Sequence, residues 1–122
     1  MPPRTIITGT LVVLVLVVGL AACGGGDEAP TCENPQTVTS VTMGDFSYEP
    51  GCVEVASGTE LEIVNEGKAP HTFTVEADAD EPEVDVPAGE TATLAIPALD
   101  AGTYRVVCTY HPQMEGALRV TG

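Results

Sequence analysis

Positive charge is scarce in this chain: four lysines and arginines stand against 18 aspartates and glutamates, a formal net charge of −14 over 122 residues. A molecule so acidic repels phosphate backbones, which excludes nucleic acid as a partner. Long apolar runs are lacking too. The one hydrophobic stretch, Leu11 to Leu20, is too short to cross a bilayer, and residues 6–22 are only 17 residues interrupted by Thr8, Gly9, Thr10 and Gly19. No helical stripe competes with period-two alternation, and no internal repeat is visible. Histidine is nearly absent: His71 and His111 are the only two.

The amino terminus reads as an export signal. Arg4 is the only charge ahead of the apolar run, and the small residues Ala21 and Ala22 precede Cys23, which is how a cleaved secretory peptide ends. A cysteine directly after such a cut resembles the lipobox of bacterial lipoproteins. Residues 1–22 are therefore expected to be a lipoprotein signal peptide and Cys23 the lipid-bearing residue. An uncleaved anchor helix is the competing reading, and under either the protein leaves the cytoplasm. The expected location is the extracytoplasmic face of the bacterial cell membrane, lipid-anchored. Residues 23–36 open with Gly24, Gly25 and Gly26, have little to bury, and are expected to be a flexible tether. Residues 37–122 suit one small domain, expected to act as a monomer.

Giving Cys23 to a lipid leaves Cys32, Cys52 and Cys108, an odd number for an oxidising compartment. Cys32 and Cys52 could bond to each other and leave Cys108 free. Pairing of Cys108 with either of them is the alternative, and the neighbours of Cys108 weigh against it.

Val53 and Val55 bracket Glu54, and Leu61 and Ile63 alternate with Glu60 and Glu62. Each pattern is that of a strand with one buried and one wet face. Further strands are expected at 38–43, 71–76, 92–96, 104–108 and 117–121, with glycines such as Gly51, Gly58 and Gly89 between them. Seven to eight short strands argue for an all-β Greek-key sandwich or barrel. Residues 76–85 carry six acids around Pro82 and read as a solvated loop. Strand parity puts His71 on one face with Phe73 and Val75, and Cys108 on one face with Tyr104 and Val106. Both side chains are expected to face the core, with Thr72, Thr74 and Arg105 turned away.

The run Cys108-Thr109-Tyr110-His111-Pro112-Gln113-Met114 spaces three soft or borderline donors at i, i+3 and i+6, close enough for one loop to wrap an ion. His71 supplies the fourth donor from a distant strand. One thiolate, two imidazoles and a thioether are the ligands of a one-copper electron-transfer centre, with Met114 as the weak axial contact. Zinc could occupy the same donors, although structural zinc sites favour more thiolates. Thr72 and Thr109, each next to a ligand, and Asn65, at the end of the preceding strand, are candidates to hold the ligand segments together. Ordinary turn or strand roles are the alternative for all three. Ala69, Pro70, Pro112 and Met114 are expected to form an apolar collar around His111, where redox partner proteins would dock.

With this order of ligands, residues 37–122 resemble a cupredoxin, a blue copper protein of the plastocyanin and amicyanin kind. The short Cys-x2-His-x2-Met loop is most similar to that of amicyanins. The resemblance implies a type 1 copper ion held by His71, Cys108 and His111 with Met114 axial, and a carrier of single electrons between redox partners rather than an enzyme. Thr72 stands where plastocyanin and amicyanin have asparagine. Copper storage or delivery is the alternative function, for which exposed and more numerous Met and His clusters are the usual equipment.

Overall fold

The computed structural model describes residues 30–78 and 81–122. The expected signal peptide, residues 1–22, and the lipid-anchor residue Cys23 lie outside them. Among the described residues no helix is long and apolar enough to cross a membrane.

Among the described residues ten strands form two sheets: β1 (Gln36–Thr37), β2 (Ser40–Gly44), β3 (Ser47–Glu49), β4 (Cys52–Ala56), β5 (Glu60–Asn65), β6 (His71–Val75), β7 (Glu83–Val86), β8 (Thr91–Ala95), β9 (Gly102–Cys108) and β10 (His111–Thr121). One sheet runs β1-β4-β10-β9-β6-β7 and the other β3-β2-β5-β8. Alternation in the sequence becomes alternation in burial: Leu61 and Ile63 of β5 are fully buried between exposed Glu60 and Glu62. Val41, Met43, Phe73, Val75, Val106, Leu118 and Val120 fill the space between the sheets with them. Tyr48 and Phe73 meet edge to face at the centre, ring centroids 5.5 Å apart, an arrangement that adds to their area burial.

The expected all-β sandwich is found, with more strands than the seven to eight read from the pattern. β1 and β3 are too short for periodicity to register. β7 corrects the reading of residues 76–85 as loop throughout: Glu83–Val86 pairs antiparallel with His71–Thr74. Its Val84 and Val86 alternate with Glu83 and Asp85, a strand signal masked by the density of acids around it. Residues 30–36, assigned to the tether, are tied to the sheet by a Cys32–Cys52 disulfide with a Cα–Cα distance of 5.5 Å, inside the usual range. Cys108 remains free and buried.

Two features of this architecture shape one end of the molecule. The backbone ladder between β6 and β9 is registered at Thr74–Val107 and Val75–Val106, so His71 lies beyond it. The β9–β10 hairpin pairs Cys108 with His111 across Thr109 and Tyr110, and its register then shifts before resuming at Glu115–Val107. His111 thus opens a strand rather than sitting in a free loop. The extra residues of the bulge let the chain turn Met114 inward, fully buried.

Candidate metal centre

His71 and Cys108 are brought together from β6 and β9. Both are buried, His71 at 0% and Cys108 at 1% exposure, and His71 Nδ1 lies 3.9 Å from Cys108 Sγ. The ring of His111 stands 5.2 Å from that of His71, centroid to centroid. Its Nε2 is a buried polar atom with no hydrogen-bond partner, an uncommon state for such an atom and one that a ligand would relieve. Met114 lines, with His111, Pro112, Gln113, Tyr110 and Phe46, a hollow of about 310 Å³. Among the described residues no group of three or more His, Cys, Asp or Glu side chains is gathered as a metal cage. What comes together instead is a thiol and two imidazoles, with Met114 lining the same hollow as His111.

Hydrogen bonds hold the two ligand-bearing segments in register where the backbone ladder stops. The Thr72 N–H donates to Cys108 Sγ at 3.3 Å, and the Thr109 N–H donates to Thr72 Oγ1 at 2.9 Å. The Tyr48 hydroxyl, from β3, donates to the Thr72 carbonyl at 2.8 Å. Burial, assisted by the neighbouring charge of Cys108, pushes the Tyr48 phenol far above the usual tyrosine range, so it stays a donor. Thr72 and Thr74 sit on the face of β6 opposite Phe73, yet both are buried. Their hydroxyls meet at 3.0 Å, which meets the requirement that buried polar groups be paired. Tyr110 donates to the Asp85 carboxylate on β7, and that bond raises its pKa.

Asn65 works on the other ligand segment. Its Nδ2 donates to the carbonyls of Ala69 and Val86, each at 2.9 Å, and its Oδ1 accepts the Gly67 N–H at 2.9 Å. These bonds shape the turn that delivers His71 and fasten it to β7. They do not run to the segment after Cys108, which Thr72 and Thr109 serve.

Three residues that sequence reading did not single out complete the site. Asp45, in the β2–β3 turn, places Oδ1 3.2 Å from His71 Nε2. Its carboxylate also accepts the Lys68 N–H at 3.0 and 3.1 Å and the Ala69 N–H at 3.2 Å. These donors, Lys68 foremost, hold the Asp45 carboxyl below the usual range. Phe46, the next residue, packs edge to face on both imidazoles, at 4.8 Å from His111 and 6.1 Å from His71. It does so with a φ of 75°, a region that bulky side chains seldom occupy. Gly67 lies so close that a Cβ there would collide with Asp45 Oδ1 and approach His71 Nε2 to 3.0 Å.

The surface around His111 differs from the expected collar. Met114 is fully buried and takes no part in it, whereas Phe46 at 59% and Tyr110 at 50% exposure are the large apolar groups that face solvent. Pro70 and Pro112 are exposed as expected.

The family model for the cupredoxin-like domain matches residues 10–120. No curated protein matches the chain. Among solved structures, the Cu(I) form of an amicyanin point mutant is 26% identical, with 77% of this chain and 93% of that one covered and a TM-score of 0.56. A purple cupredoxin from Nitrosopumilus maritimus is 16% identical over 69% of this chain and 100% of that one, TM-score 0.56. The copper-containing nitrite reductase from Thermus scotoductus SA-01 is 24% identical over 78% of this chain, TM-score 0.57, but only 25% of that longer chain is covered.

Proposed function

Since the chain belongs to the cupredoxin-like domain family, we propose that it is a copper protein carrying single electrons between redox partners, with His71, Cys108, His111 and Met114 as ligands of one type 1 copper ion. The observation that carries this reading is the free thiol of Cys108, buried in the sandwich beside His71 Nδ1. A buried thiol is usually inert packing, but this one has an imidazole nitrogen beside it, a second imidazole next to that ring, and an inward methionine in the hollow with the second imidazole, which supports a metal site. The unpartnered Nε2 of His111 supports the same reading. Bound there, copper supplies a one-electron couple between Cu(II) and Cu(I).

The protein's own groups supply rigidity and access. The Thr72 N–H donates to the Cys108 sulfur and fixes its position. The Thr72 carbonyl is fixed by Tyr48, and the core excludes water from one side. Four protein donors leave no open position for a substrate, which favours a carrier over an enzyme. The burial of His71, Cys108 and Met114 favours a carrier over a delivery protein as well. The exposed rings of Phe46 and Tyr110 beside His111 are suited to brief contact with a partner protein. Copper-loaded protein is expected to show an intense visible thiolate band and narrow copper hyperfine splitting by EPR. Colourless protein that yields its copper rapidly to a chelator would point to delivery instead.

Lipid attachment at Cys23 and a place on the outer face of the cell membrane belong to the same proposal, on the strength of the apolar run and the Leu20-Ala21-Ala22-Cys23 sequence. The Cys23→Ser variant is expected to lose membrane association on cell fractionation. Unchanged partition into the membrane fraction, with the leader retained by mass, would favour the uncleaved anchor.

A further inference from the structure

We propose that Asp45 is the positioning residue of this centre: from the β2–β3 turn its carboxylate locks the His71 ring with Nε2 protonated, leaving Nδ1 directed at Cys108, and its charge favours the oxidised metal. The inference rests on the copper reading above and extends it to a residue outside the four ligands. Its basis is geometric. His71 is fully buried, so each ring nitrogen needs a partner within the protein. Nδ1 faces the Cys108 sulfur at 3.9 Å and Nε2 faces Asp45 Oδ1 at 3.2 Å. A carboxylate in this setting can only accept, so Nε2 must be the protonated nitrogen and the Nδ1 lone pair is left for a metal.

The carboxylate is itself immobilised. Amide donors from Lys68 and Ala69 grip it, so one side chain fastens both the ring of His71 and the backbone just ahead of it. Gly67 is the third part of the device. Any Cβ at that position would displace Asp45 Oδ1 and crowd Nε2, so the hydrogen bond as placed requires the glycine. Carboxylates that orient a ligating histidine also raise its basicity, and removing such partners costs about 10- to 100-fold in metal affinity. A negative charge this close to the site, 35% exposed and so only partly screened, stabilises Cu(II) over Cu(I).

Two substitutions separate the bond from the charge. Asp45→Asn keeps an acceptor for Nε2–H but removes the charge. Asp45→Ala removes both. In metal-free protein at pH 8, nitrogen-15 NMR of the His71 ring is expected to show the Nε2–H tautomer in the parent and in Asp45→Asn, and a mixture with Nδ1–H in Asp45→Ala. In copper-loaded protein, Asp45→Asn is expected to shift the oxidised-to-reduced ratio at fixed potential about tenfold toward the reduced form, about 59 mV for one electron. Asp45→Ala is expected to weaken Cu(II) binding about 10- to 100-fold in addition. Parent-like tautomer, affinity and potential in the variants would overturn the role of Asp45 while leaving the copper centre standing. A parent protein that forms no thiolate–copper band would instead overturn the copper reading, and the metal-free tautomer would still decide whether Asp45 sets the ring.

Discussion

Cys108→Ser is expected to eliminate the visible copper absorption entirely and to weaken copper binding by more than the roughly 100-fold typical of losing an outer partner. The two side chains are nearly the same size, and the position is 1% exposed at the end of β9, so the change is chemical rather than steric. A cysteine sulfur is a soft ligand well matched to copper, and the Thr72 N–H donates to it at 3.3 Å. A serine hydroxyl stays protonated and hard, a poor donor to Cu(I). Burying it costs on the order of 1–3 kcal/mol if it lacks a partner, and the Thr72 N–H is within reach to provide one. The metal-free variant should therefore remain folded by circular dichroism, which separates loss of the ligand from loss of the sandwich. A serine variant that kept the parental spectrum would show the sulfur to be no ligand at all.

The architecture was legible in the sequence wherever alternation was strict. Leu61 and Ile63, Val53 and Val55, and the Phe73–Val75 pair are all buried in the core as parity requires. The same rule turned His71 and Cys108 inward, because a one-residue slip would have moved every neighbour in β6 and β9 to the wrong face. Where alternation was short or disguised it failed. β3 has three residues, and β7 places Val84 and Val86 among Glu83 and Asp85, so charge density outweighed period in the reading. Thr72 and Thr74 did turn away from the core, but the second face of β6 is covered as well. Parity predicts sides and cannot predict what covers them.

The support of the site was less legible because it is tertiary. Asp45 and His71 are 26 positions apart, and nothing in either local pattern links them. Gly67 reads as an ordinary turn glycine until the approach of Asp45 and His71 is known. Phe46 carried the one local signal available, a bulky aromatic in a two-residue turn where Gly44 and Ser47 already pair. Its positive φ costs of order 1–3 kcal/mol, and its edge contacts with both imidazoles account for its retention there. Thr72 and Thr109 were visible as neighbours of candidate ligands, and the bond between them does what a missing rung of the β6–β9 ladder would otherwise do.

Removing the Cys32–Cys52 bond, as the Cys32→Ser/Cys52→Ser double variant, is expected to lower stability by about 3 kcal/mol, from the closure entropy of a loop spanning 20 residues. For a domain of this size, with about 5–15 kcal/mol in total, that is a large share, and the melting temperature should fall by roughly 10–25 °C. The bridge spans from the strand-poor segment before β1 to the first residue of β4, where Cys52 registers with Ala117 of β10. β1 contributes only two residues to the sheet, so without the bond little else fastens residues 30–37. The metal site draws on none of these residues: its hydrogen bonds run among β3, β5, β6, β7, β9 and the β2–β3 and β5–β6 turns. The copper spectrum of the double variant should accordingly match the parent well below the new melting point. In the parent, one thiol of the described domain should resist alkylation until the sandwich unfolds, because Cys108 is buried. An unchanged melting temperature would mean that the unfolded chain is already constrained near residues 32–52, whereas an altered copper spectrum would mean that the amino-terminal segment reaches the metal end of the sandwich.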